Sequence, residues 1–282
     1  MAHTNMKPAG GCGLDRNRDA VRRARRFVDL DATVPVGSSR VRILGTIAGF
    51  LPDGERVAAA LRVAPPPSAI ALGVPADDLP GLARLAADAD PASLIDPSEK
   101  RLPRGVGPTG GQMSAASPLH PSVPAPIPDD GDPDRFAGLD AATAHMLSLL
   151  RRFGPTSSVP SDLVAAQRAA TRLGLPVVAV DLDDEAHTAV VTSEVGMLGL
   201  VGRSRAERRA LAGRFEDAPD AAALAVAFDA VRCGTRGLRR VEEAREVEMA
   251  ARLRALTSTH AALVAVVPAA RFAGVVARLS QA

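Results

Sequence analysis

Four short runs along the chain, residues 41–45, 69–74, 177–180 and 263–267, are apolar or β-branched apart from Arg42 and end at turn residues. A strand with one wet face alternates apolar and polar residues, whereas a strand covered on both faces need not. The runs therefore predict strands of a sheet buried on both sides. Between them the period changes to that of a helix. Residues 53–62 follow a Pro-Asp-Gly-Glu start with Arg-Val-Ala-Ala-Ala-Leu. Residues 140–153 set Ala144, Met146, Leu147, Leu149 and Leu150 on a broad apolar stripe. Residues 161–173 open with a Ser-Asp cap after Pro160 and stop at Gly174, start and stop signals of a helix. The longest helical stretch, 236–256, carries Leu238, Val241, Ala244, Val247, Ala251 and Leu253 near helical spacing. Its outer face mixes signs, with Glu248 and Arg252 paired at i,i+4. Residues 269–280 form the last helix. Strand and helix in alternation predict an α/β fold, a layered α/β/α domain with a largely parallel sheet.

Two stretches break the pattern. Residues 1–34 begin with a Gly- and Pro-bearing segment and continue as one basic helix over 15–30, with Arg16, Arg18, Arg22, Arg23, Arg25 and Arg26. Seven basic residues against four acidic ones make this a basic, partly disordered N-terminal arm. Residues 93–138 are crowded with prolines from Pro103 to Pro133, and too little apolar surface is present to offset the entropy of ordering them. They predict a long excursion after the second strand. Residues 35–282 then form a single domain interrupted at 93–138, and the roughly 200 residues outside the excursion are enough for a self-sufficient core.

Composition narrows the functions this domain can have. The chain has no Trp, no Tyr and seven Phe, which excludes aromatic platforms for single-stranded nucleic acid. Two cysteines, Cys12 and Cys233, make neither a disulfide framework nor a cysteine-based zinc site. A net charge of +2 demands neither nucleic acid nor membrane as partner, so contact with nucleic acid would run through the arginines of the arm. The best apolar stretch, 261–267, ends at Pro268, far below the roughly 20 residues of a membrane span. With no membrane span and no signal-peptide core, the expected location is cytoplasmic.

In open α/β sheets ligands bind at the carboxyl ends of strands. The chemistry-bearing residues there are Gly45 and Thr46 after the first strand, Asp181 and Asp183 after the third, and Arg271 after the fourth, with Arg245 on the long helix within reach. The turn Gly45-Thr-Ile-Ala-Gly49 lacks the Lys-Ser/Thr pair of a phosphate loop; it predicts a tight strand-to-helix turn. Asp181, Asp183 and His187 are the one group with metal-ligand chemistry, suited to a divalent ion. The local reading of the same residues is that Asp183 or Asp184 caps a helix beginning there. Arg245 reads either as an anion-binding residue or, by the mixed charge around it, as part of a solvated face. Cys233 has no histidine partner at catalytic spacing.

Several blocks, in order, resemble the TraB/PrgY superfamily, which includes GumN-like and Tiki-type proteins. They are Arg42-Ile-Leu-Gly-Thr46; the helix over 53–62; Ala69-Ile-Ala-Leu-Gly-Val74; Phe153-Gly154; Val159-Pro160-Ser-Asp-Leu163; Val177-Val-Ala-Val-Asp181-Leu-Asp183; and Arg245-Glu-Val-Glu-Met249-Ala250 before Leu263-Val-Ala-Val-Val267. The resemblance covers about residues 40–282 outside the excursion. It implies helices on both faces of one sheet and, in the family, metal-dependent peptide hydrolysis through two His and a Glu supported by an Arg. This chain has Ile47 and Ala48 where the first His belongs, Gly73 where the Glu belongs, Leu182 where an Arg separates the two aspartates, and Pro268 and Arg271 in place of the last Gly and His. A fixed cation at 271 also repels a metal ion. The resemblance so read implies a catalytically silent relative with no cofactor. Its function would be binding or regulation toward a peptide, an anionic ligand or a protein partner, with Gly45, Thr46, Asp181, Asp183, Arg245 and Arg271 as the pocket. The alternatives are a hydrolase with relocated ligands Asp181, Asp183 and His187 on a divalent metal, and an accessory protein tethered to nucleic acid by the arm.

Overall fold

The computed structural model describes residues 30–63, 66–88, 139–213 and 215–281; the arginines of the N-terminal arm and the excursion at 93–138 lie outside them. Five strands form one sheet: β1 (Asp31–Val36), β2 (Ser39–Thr46), β3 (Ala69–Leu72), β4 (Val177–Ala179) and β5 (Ala262–Pro268). The order across the sheet is β1-β2-β5-β3-β4. The pairs β2–β5, β5–β3 and β3–β4 are parallel, and β1 joins β2 antiparallel, so the sheet is mixed and mostly parallel. The last strand in the chain lies at the centre.

The helices are α1 (Leu51–Ala60), α2 (Leu79–Asp88, after a single tight turn Ala76–Asp78), α3 (Ala141–Leu150), α4 (Ser161–Leu173), α5 (Asp184–Leu211), α6 (Ala221–Arg232), α7 (Arg236–Leu256) and α8 (Ala269–Ser280). They cover both faces, and strand alternation shows it directly. On β5, Leu263, Ala265 and Val267 enter one core with Val41, Ile43, Ala69 and Ala71, beneath Phe228 of α6, Met249 of α7 and Phe272 of α8. Val264 and Val266 face the other way, into a second core with Leu44, Ile70 and Leu72, beneath Val57 of α1, Leu82 of α2 and Val164 of α4. Neither face of the central strands meets water, which is why their sequences run on without polar alternation.

The structure moves several boundaries. Asp31–Val36 is a strand, so residues 31–34 belong to the sheet rather than to the arm. Pro35 is tolerated in β1 because β1 is an edge strand, where a missing N–H need not cost a ladder bond. Helices α2 and α6 were not expected as elements, and α5 was expected only by its start, at the Asp183 cap. Gly196 interrupts α5 at φ 53° and ψ 176°, which breaks its apolar period in two. The left-handed cap at Gly174, φ 64°, ends α4 as expected. Among the described residues no helix is long and apolar enough to cross a membrane.

Candidate functional site

The carboxyl edge of the sheet carries two buried polar clusters. The first gathers on β4, α6, α7 and α8. Asp181 follows β4 and is 1% exposed. Its Oδ1 accepts the backbone N–H of Leu182 at 2.8 Å, which fixes the carboxylate plane. The Arg245 guanidinium reaches it from α7: Nε donates to both carboxylate oxygens at 3.1 Å, and a terminal nitrogen donates to Oδ2. The other terminal nitrogen of Arg245 donates to Glu242, one turn earlier, at 3.2 Å. Glu242 also receives Arg271, whose second terminal nitrogen donates to Asp229 at 2.9 Å. Arg232 closes the chain of contacts on Asp229 at 3.2 Å.

Three carboxylates thus face three guanidiniums. Burial pushes Asp229 up, but Arg271 and Arg232 more than offset it, and the carboxyl sits below its ordinary range. Burial disfavours the charged form of Arg245 and Arg271, yet Asp181 and Glu242 on the one, and Asp229 and Glu242 on the other, raise both above the ordinary arginine value. Cys233 lies 3.8 Å from Asp229 and from Glu242, and burial followed by those two charges pushes its thiol up to about 12. A thiol so placed is no nucleophile near neutrality.

The second cluster joins β2 to the starts of α1 and α4. Asp53 is held by the N–H of Ile47 at 2.7 Å and by Arg56 at 2.9 Å. The terminal nitrogen of Arg56 that reaches Asp53 also donates to the Gly45 carbonyl. Thr46 donates its hydroxyl to Asp162 at 2.5 Å, and the other Asp162 oxygen has no partner among the described residues. Burial raises the pKa of both aspartates. For Asp53, Arg56 and the Ile47 N–H pull the other way; for Asp162 only hydrogen bonds do, and Asp53 adds repulsion. The connecting turns are tied backbone to backbone, with Ser157 N–H donating to Gly49 C=O at 2.7 Å, and Gly49 takes φ 80°, a conformation that favours glycine.

The sequence-derived pocket is therefore divided. Asp181, Arg245 and Arg271 come together through Glu242. Thr46 turns to Asp162 instead, and Gly45 packs against Phe272 and Leu30. Asp183 caps α5 by accepting the Ala186 N–H at 2.8 Å, and His187 sits one turn on, so neither joins Asp181. Among the described residues no three of His, Cys, Asp and Glu form a group that could hold a metal ion. Arg245 is not on a solvated face: its side chain is 23% exposed and tied to a buried carboxylate. Nor do Arg245 and Arg271 offer an open anion site, because the chain's own carboxylates occupy both. The partners Asp53, Glu242, Asp229 and Asp162 were missed as site residues. Asp162 in particular read as part of a helix cap, yet α4 has no side-chain cap and the carboxyl turns inward.

Close packing also excludes a side chain at Gly73. A Cβ there would lie 2.9 Å from Pro268 Cδ and 3.1 Å from Val267 Cα, both parts of rigid backbone or ring. Gly73→Ala is expected to lower stability by about 1–3 kcal/mol, seen as a reduced urea midpoint at unchanged slope. Comparison with family models, curated proteins and solved structures finds no match to this chain.

Proposed function

We propose that the chain is a TraB-like α/β domain that acts as a binding or regulatory protein for a peptide or protein partner rather than as a hydrolase. The observation that carries this reading is the closed network of Asp181, Arg245, Glu242, Arg271, Asp229 and Arg232 at the sheet's carboxyl edge. General acid–base chemistry needs a group poised near the working pH, whereas here Asp229 is pulled below its range and both Arg245 and Arg271 are raised above theirs. The network ties β4, α6, α7 and α8 to one another, which is structural work. Pro268 and Gly73 fit the same reading. They stand where the family has Gly and Glu, and they pack on each other so tightly that no carboxylate side chain fits at 73.

The test is metal content and turnover together. Protein purified without tag or chelator, incubated with Zn²⁺ or Mn²⁺ and desalted, is expected to retain far less than one equivalent by elemental mass spectrometry and to leave peptide substrates uncut. Retention near one equivalent, with peptide cleavage lost in Asp181→Asn, would overturn the reading in favour of a hydrolase with relocated ligands.

A further inference from the structure

Away from the carboxyl-edge clusters, a deep concave surface lies on the outer side of the helices that cover the second core. Helix α4 is its floor, and α1 and α2 are its walls. The cleft has a volume of about 900 Å³, and it continues into a second hollow of about 480 Å³ that shares Ala58, Arg62 and Arg172 with it. The walls and floor are built from small residues, Ala58 on α1, Ala83 and Ala87 on α2, and Ala165 on α4. Side chains this short let the backbone of another element come close.

Polar groups in the cleft are biased to one sign. Three arginines, Arg62, Arg168 and Arg172, face a single carboxylate, Glu55. Arg168 spends its Nε on the Ala86 carbonyl at 2.9 Å. Arg62 and Arg172 are exposed, and among the described residues neither is paired with an acidic side chain. Beside them, the second hollow is lined by Val63 at 57% and Leu173 at 47% exposure. Large apolar side chains left in water next to unpaired cations mark a surface made for a ligand with both characters.

We infer that this cleft docks an acidic amphipathic helix of a partner protein. The trough between two helical walls, floored by a third helix and lined with alanine, fits helix-in-groove recognition. The partner's apolar stripe lies over Ala165 and toward Val63 and Leu173, and its acidic flank meets Arg62 and Arg172. The inference rests on the binding reading above but uses a different surface from the carboxyl-edge clusters.

The experiment uses the full chain and fluorescein-labelled peptides of about four helical turns. One carries a Leu stripe with Glu on the flanks; its counterpart has Lys for Glu. Fluorescence anisotropy is expected to show saturable binding of the Glu peptide, weakened by added salt, and no binding of the Lys peptide. Arg62→Glu with Arg172→Glu should weaken the Glu peptide at least about tenfold and admit the Lys peptide, with an unchanged circular dichroism spectrum. Ala165→Phe, which fills the floor without altering charge, should weaken it as well. Arg203→Glu, an exposed site on α5, should leave binding unchanged. Failure of the Glu peptide to bind, equal binding of both peptides, or indifference to the charge reversal would each overturn the inference. Displacement of the Glu peptide by dodecanoate at equal concentration would overturn it too, in favour of a fatty carboxylate. Those results leave metal content untouched, so loss of the cleft and loss of the binding reading are told apart.

Discussion

Replacing Arg271 with alanine is expected to cost about 3–5 kcal/mol of folding stability. The side chain is 6% exposed and spans Asp229 and Glu242. Truncation leaves two carboxylates largely out of water with one fewer cation each, and Arg232 and Arg245 neutralise them only from one side. Breaking a buried pair costs more than the pair contributes over an apolar replacement, because the surviving charge keeps its desolvation cost. Against a typical total of about 5–15 kcal/mol, such a loss brings a marginal domain close to unfolding at 37 °C. Urea unfolding of Arg271→Ala, Glu242→Gln and the double variant gives the decisive cycle. If the network is the lock described here, Glu242→Gln should recover part of the Arg271→Ala loss, with a coupling of about 1–3 kcal/mol. Strict additivity, or a single-variant loss under about 1 kcal/mol, would show that these charges are screened by solvent and hold nothing together.

The same network shows where sequence reasoning stops. Arg245 and Arg271 were legible as candidates because they follow or face strand ends. Their role was not, because the deciding contacts join residues 64 and 42 positions apart in the chain. A helix with charges of both signs looks solvated from its own sequence, and only the packing of α7 against α5 and α8, with Asp181 beyond β4, reveals that Glu242 and Arg245 point inward. The central strands were readable because burial on both faces leaves an unbroken apolar run. Bounds of α4 were readable from local punctuation, Pro160 and Gly174, and α7 from its helical spacing; the structure adds Thr235 as the cap of α7 at Leu238 N–H and Pro268 as the residue before α8. Helix α6 escaped because alanine covers it on most sides, with Ala221, Ala223, Ala225 and Ala227 all buried, so no polar face marks its period. Asp181, Asp183 and His187 do not come together for a local reason: a capping aspartate is committed to the backbone of its own helix, and Asp183 does that.

Asp162→Asn is expected to stabilise the protein at neutral and alkaline pH and to flatten its pH–stability profile. Asp162 is 2% exposed, accepts one hydroxyl from Thr46, lies near the charged Asp53, and has an oxygen without a partner among the described residues. No cation touches it there; Arg56 is spent on Asp53. Burial, the largest cause, raises its pKa above that of an unfolded aspartate near 3.9. The folded chain therefore holds a proton that the unfolded chain releases. Its stability should fall as pH rises above about 4, by about 1.4 kcal/mol per pH unit, until the folded group itself ionises, and stay at the lower value beyond. Asparagine keeps the acceptor for Thr46 and removes the ionisation, so the difference between variant and parent should be near zero at pH 3 and grow with pH through that window. Asp53 and Glu246 are also raised, while Asp140 and Asp229 are lowered and favour folding above the acid range, so the parent curve alone mixes opposite slopes. Subtracting the Asn curve isolates one group. Guanidinium unfolding at steps of pH is the measurement. A constant difference across the range would mean that Asp162 is ionised in the folded state, and that the charge is held by a partner outside the Thr46 contact.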